Sequence, residues 1–189
     1  MTVPTAETLG RLADALRAEG GLLAGALAPD GERAARVERE GDPALGALAA
    51  AGPRSEGRGA DVAFVVEAIR EGYLLHYASG RLLSEDDRDL MLLAGDHLYA
   101  LGLARLAALG DLAAVTELAD VISLGAQGHA EGRPELAEAA WAAGAAAVGW
   151  GARGDLQAAK AAARAGDPDA AEALRAAARR IAGDVAPVR

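Results

Sequence analysis

The chain has no cysteine in 189 residues and few aromatics: two tryptophans, three tyrosines and one phenylalanine. Without cysteine there is no disulfide framework, no thiolate nucleophile and no thiolate metal site. Basic residues are in the minority, 19 Lys and Arg against 28 Asp and Glu. The net charge of −9 disfavours a nucleic-acid backbone or an anionic membrane surface as partner. A local cluster at Arg175, Arg179 and Arg180 has the spacing of a solvated face near a helix C-terminus, where the dipole favours cations. The opening Met1-Thr2-Val3-Pro4 lacks the basic and then apolar pattern of a signal peptide. The longest nearly apolar run, Ala139 to Ala152, is interrupted by glycines and falls short of the roughly 20 residues of a spanning helix. The expectation is a cytoplasmic protein with no membrane span and no nucleic-acid partner.

What is present favours helix. Ala, Leu, Glu and Arg are abundant, 52% of residues are hydrophobic, and strand-forming aromatic and β-branched residues are scarce. The fold class expected is all-α, a bundle of about eight helices in one domain long enough to bury a core. Gly-Asp pairs punctuate it. In Gly41-Asp42-Pro43 and Gly166-Asp167-Pro168 the glycine closes one helix, the aspartate caps the next and the proline sits in its first turn. Gly110-Asp111 and Gly154-Asp155 fit the same scheme without proline.

Between such stops, helices are expected near Thr5–Glu19, Gly31–Ala50, Ala60–Ala78, Ser84–Leu109, Asp111–Ala130, Pro134–Gly149, Asp155–Ala165 and Asp167–Ala182. Residues 1–51 read as a peripheral helical hairpin and 61–189 as core helices. Between them, 52–60 reads as a mobile loop, because Gly, Pro, Ser, Arg and Glu replace the apolar pattern from Gly52 to Gly59. Val65, Val66, Ile69, Tyr73, His76 and Tyr77 share one face at spacings of three and four. The following helix is apolar nearly all round from Leu90 to Leu106, the pattern of an element surrounded by others. The Ala-rich C-terminal helices bury little area each and are expected to lean on a partner or on neighbouring helices, with Trp141 and Trp150 as core or interface anchors.

The candidate chemistry has plain structural readings. Ser84-Glu85-Asp86-Asp87-Arg88-Asp89 mimics an Asp-Asp-x-x-Asp magnesium motif imperfectly. It reads better as a helix start, with Ser84 as cap and Asp87 completing a capping-box-like pair. Glu67 and Glu71 lie four apart, but no histidine follows a glutamate at the Glu-x-x-His spacing of a di-iron bundle. With Arg70 between them, a solvated, partly neutralised face is expected. His129, beside glycines near a helix end, reads as a cap or surface group. No P-loop, dinucleotide fingerprint or nucleophile elbow is present. No metal, cofactor or catalytic residue is therefore assigned.

Leu93-Ala94-Gly95-Asp96, an apolar helix after it, then Leu106-Ala107, Gly110-Asp111 and Leu118-Ala119 resemble the Leu-Ala-Gly-Asp helix of trans-polyprenyl diphosphate synthases. Upstream, Glu67-Ala68-Ile69-Arg70, Leu74-Leu75-His76 and Gly80-Arg81 run parallel to that family's Glu-x-Ile-His, Leu-Ile-His-Asp-Asp and Gly-Arg. The resemblance covers about Asp61 to Arg133 and departs where it matters. Tyr77 and Ala78 stand where the first two magnesium-binding aspartates belong. A second Asp-Asp-x-x-Asp and the Lys-Thr and Arg-Arg-Gly contacts are also missing. Without those carboxylates, charge on a departing diphosphate has no metal counterpart.

The resemblance therefore implies an isoprenoid-synthase-like bundle, truncated, of the non-catalytic small-subunit type (heptaprenyl or hexaprenyl diphosphate synthase component 1). Such a subunit regulates or sets chain length by association with a metal-binding, prenyl-synthase-like catalytic subunit. Tyr73, His76, Tyr77, Asp96 and Tyr99 are its cavity-lining candidates. The alternative is a helical scaffold that self-associates and holds an isoprenoid ligand, such as a quinone tail, in an apolar channel.

Overall fold

Glycine stops leave long stretches of strong helix formers, and the computed structural model, which describes residues 3–40, 44–84 and 87–183, shows them as helices. In chain order these are α1 (Thr5–Glu19), α2 (Gly21–Gly25), α3 (Asp30–Glu40), α4 (Leu45–Ala51), α5 (Gly59–Tyr77), α6 (Arg88–Leu109), α7 (Leu112–Ala130), α8 (Pro134–Trp150), α9 (Gly154–Arg164) and α10 (Ala170–Ala182). Among the described residues no strand forms. The only sheet-like feature there is an isolated antiparallel bridge between Leu27 and Leu83. The chain is all-α.

Of the two helices whose patterns suggest a central place, α5 is enclosed and α6 is not. α5, read as amphipathic, is buried at every position from Val62 to Leu75 and packs against α1, α4 and α6. α6, read as surrounded, buries only Ala94, Gly95, Leu98, Gly102 and Leu106. It packs extensively on α5 and only slightly on α7. Glycines set the closeness of the α5–α6 contact. A Cβ on Gly72 would lie 2.8 Å from the Gly95 carbonyl oxygen, and one on Gly102 would lie 2.6 Å from Ile69.

α8 is the second central helix. Its alanines and glycines let α4, α7 and α10 approach closely, and Trp141 is completely buried among them. The Ala-rich C-terminal helices thus lean on their neighbours. The large core cluster joins Leu45 and Leu48 of α4, Ile69 of α5, Leu118 and Val121 of α7, and Leu174 of α10. A second cluster joins Leu9, Leu12 and Leu16 of α1 to Phe64 and Leu75 of α5 and Leu98 of α6.

The N-terminal region is more than a peripheral hairpin, because α4 contributes to the main core. Gly31–Ala50 is two helices, α3 and α4, and Gly41-Asp42-Pro43 lies outside the described residues. Residues 52–60, expected as a mobile loop, carry a 3-10 turn at Pro53–Ser55. Its Ser55 hydroxyl donates to the Ala49 carbonyl at 2.7 Å. Gly52 lies so close to Gly149 that a Cβ would meet that backbone at 2.2 Å, which explains a glycine there better than flexibility does.

The helix stops vary in detail. Gly110 adopts a left-handed conformation and Asp111 caps α7 through the Ala114 N–H, as expected. α6 starts later than Ser84: its cap is Asp87, which accepts from the Asp89 and Leu90 N–H groups, and Glu85 and Asp86 lie outside the described residues. Gly151, at φ 93°, follows α8, whereas Gly154 already belongs to α9. Asp167 accepts from the Asp169 N–H at 2.8 Å ahead of α10.

Candidate functional site

The C-terminal turns of α5 bring Tyr73, His76 and Tyr77 against Asp96 and Tyr99 of α6 and His129 of α7. The spacing of three and four residues puts the α5 rings on adjacent faces of one helix. Tyr73 and Tyr77 have ring centroids 5.3 Å apart. The Tyr77 ring stacks on His129 at 4.3 Å with an interplanar angle of 1°. His76 stacks on Tyr99 at 5.5 Å and 14°. Its Nε2 approaches Asp96 Oδ1 at 3.2 Å without hydrogen-bond alignment. All five residues singled out from the sequence fall in this one cluster.

Tyr73 is its hub. Burial, aided by Glu138, pushes its phenol up to about 12, and the Arg70 guanidinium opposes the shift. The phenol is therefore protonated at neutral pH, and its oxygen shares a hydrogen bond of 2.8 Å with His129 Nε2. Arg70 lies over two rings, 4.9 Å from the Tyr73 centroid and 5.1 Å from that of Trp141, and its Nη2 donates to both Glu138 oxygens at 3.2 and 3.1 Å. Burial also raises Tyr99, with smaller contributions from Tyr77, Tyr73 and Asp96. Both phenols are thus weaker acids than an exposed tyrosine, a tuning that suits fixed hydrogen-bond donors rather than bases.

His129, read from the sequence as a cap or surface group, is half-buried and joins α7 to α5. A signal was available: Val115, Ile122 and His129 recur every seven residues on α7, and the first two pack against the core. Arg70 and Glu138 were also missed, because nothing local in the sequence shows that a cation can bury itself between rings.

The cluster is a packed set of rings. Two clefts lie elsewhere. One is a narrow crevice lined by Val62, Val65, Val66, Leu106, Leu118 and Val148. The other is a broad depression along residues 50–60. Neither is lined by the five candidates.

Glu67 and Glu71 are not a solvated face. They are 1% and 0% exposed and enclose Arg81, itself 1% exposed. Arg81 Nη2 lies 2.9 Å from Glu67 Oε2, and its Nε donates to Glu71 Oε2 at 2.9 Å. Glu71 Oε1 accepts the Arg81 and Leu82 N–H groups at 2.5 and 2.8 Å, while Glu67 Oε1 accepts the Gly46 N–H at 2.8 Å. This arrangement pins the α5–α6 loop and the start of α4 onto α5.

A second buried cation, Lys160, bridges Glu117 and Asp120 at 2.6 and 2.9 Å and ties α9 to α7. Arg175, Arg179 and Arg180 all have partners, namely the Glu135 carbonyl, Glu172 and Asp155. They do not converge on an anion site. Among the described residues no three His, Asp or Glu side chains are grouped to hold a metal. α6 is long and apolar enough to cross a membrane by length and composition, though it also packs on α5.

No protein-family model, curated protein or solved structure matches the chain.

Proposed function

We propose that the chain works by association, as the non-catalytic, regulatory or chain-length-determining subunit of a two-component polyprenyl diphosphate synthase. The observation that carries the association is where large apolar side chains meet solvent. Among the described residues these are Leu22, Tyr77, Leu93, Leu103 and Leu112, exposed by 75, 42, 59, 38 and 78%.

Leu93 and Leu103 are on α6, and Leu112 begins α7 just past the Gly110 turn. Tyr77 neighbours His76, which contacts Asp96. Leu22 adjoins Leu23, which packs into the α1–α5–α6 cluster. Two of the five lie on α6, and exposed apolar side chains that share one helix face mark an interaction surface. α6 is also the helix that carries Leu93-Ala94-Gly95-Asp96, the centre of the resemblance to the synthases.

The buried charges favour a subunit that does not act on diphosphate. Arg81, at the Gly-Arg position, is enclosed by Glu67 and Glu71 and is not free to meet a substrate. In the assembly Tyr77 forms part of the wall that limits product length.

The test is co-expression with a prenyl-synthase-like subunit bearing intact Asp-Asp-x-x-Asp motifs, followed by light scattering and product analysis. A stoichiometric complex whose product length changes when this chain is omitted supports the reading. A chain that purifies alone and leaves the product unchanged overturns it. If Tyr77→Ala alters neither assembly nor product length, the wall role is wrong.

A further inference from the structure

Resting on the association reading, we propose that the outward face of α6 is the docking surface and that its occupant is an apolar helix with a basic flank, supplied by a different chain. Leu93, Ala100, Leu103, Ala104, Ala107 and Ala108 are the solvent-facing apolar positions of α6, and their spacing of seven, three, one, three and one keeps them on one side of the helix. The opposite side, through Ala94, Leu98, Gly102 and Leu106, is buried. Two leucines with alanines between them form a shallow trough. Bulky apolar side chains at i, i+3 or i+4 and i+7 of a partner helix fill such a trough.

Charge chooses between partners. Asp89 and Asp96 are exposed on the same side as the trough, Asp96 with the His76 ring against one oxygen and its side chain still 74% exposed. The neighbouring cations are engaged elsewhere: Arg88 donates to the His76 carbonyl and Arg105 to Asp61. A second copy would bring both pairs of aspartates, and two chains of net charge −9, to one interface. A basic flank complements them and steers association.

The experiment uses the full-length protein and two synthetic amphipathic helical peptides with the same Leu/Ala face, one flanked by lysines and the other by glutamates, with binding read by fluorescence anisotropy. The lysine peptide should bind at least about tenfold more tightly than the glutamate peptide, and added salt should weaken it. Leu93→Glu, at a 59% exposed position, should weaken the lysine peptide by about tenfold or more. General attraction of a cationic peptide to an acidic protein would instead strengthen with the added carboxylate.

Ala104→Arg should block binding in the same way. Equal binding of the two peptides, or lysine-peptide binding that survives both substitutions, overturns the proposal. So does a homodimer seen by light scattering that Leu93→Glu dissolves. Binding to phosphatidylcholine vesicles that Leu93→Glu removes would make the face a lipid surface and also overturn it. If the synthase-like subunit co-purifies with Leu93→Glu as well as with the unaltered chain, the association reading stands and this face is the wrong one. If neither protein captures it, the association reading fails first.

Discussion

Replacing Arg81 by methionine should be among the most damaging single changes in this chain. The side chain is 1% exposed and lies between carboxylates that are 1% and 0% exposed. Backbone N–H groups from Gly46, Arg81 and Leu82 stay on those carboxylates after the substitution, so hydrogen bonding is only partly lost. What disappears is the positive charge, and removing one partner from a buried ion pair costs about 3–5 kcal/mol. That is a large part of the 5–15 kcal/mol that holds a typical domain together. At roughly 2–4 °C per kcal/mol for a chain of this size, the melting temperature should fall by about 6–20 °C.

Urea denaturation followed by circular dichroism at 222 nm measures the loss directly. Adding Glu67→Gln and Glu71→Gln to Arg81→Met should recover much of it, because the leftover charges are then removed. A loss under about 1 kcal/mol for Arg81→Met, the size expected of an exposed pair, would show that the two carboxylates are solvated after all. A triple variant no more stable than the single one would show that packing, rather than charge, is what Arg81 supplies.

Three other outcomes follow from the geometry. Tyr73→Phe should destabilise by about 1 kcal/mol and, in nitrogen NMR, move the Nε2 resonance of His129, which loses its partner at 2.8 Å. In the unaltered protein the Tyr73 phenol is raised from 10.0 to about 12, so the stability linked to it is complete below pH 10 and is lost as pH rises towards 12; ultraviolet titration of tyrosinate against Tyr73→Phe checks the sign. Burial alone would raise the Asp111 carboxyl, but the Ala114 N–H, Arg58 and Arg54 overcome it and hold it below 3.8. Its contribution is therefore present above that value and lost as pH falls through the folded-state one, and Asp111→Ala should cost about 1 kcal/mol for the cap and flatten the acid limb of a stability profile.

Helix content and most boundaries could be read from the sequence, because Gly110-Asp111 and its relatives act through local backbone chemistry. The difference in burial between α5 and α6 could not. Hydropathy counts Glu67, Arg70 and Glu71 against burial, yet each is paired inside the protein, with Arg81 or Glu138. Those partners lie in a loop and on another helix, where periodicity along α5 cannot see them. Conversely, the continuous apolar character of α6 signals burial only if something covers it, and here Leu93 and Leu103 face solvent. The five candidate residues do come together, because helical spacing fixes which face of α5 and α6 they share. His129 completes their cluster from 56 positions along the chain from Tyr73.

The enclosure of α5 also bears on how the molecule comes apart. Helices from the first third of the chain close one side of it, α6 closes another, and Tyr73 reaches α7 and α8. No small, local opening can expose its amides to solvent. Hydrogen exchange at Val66, Ile69 and Tyr73 should therefore proceed only through complete unfolding, while the outer turns of α6 exchange independently. The slowest clock in the protein sits on its most charged internal helix.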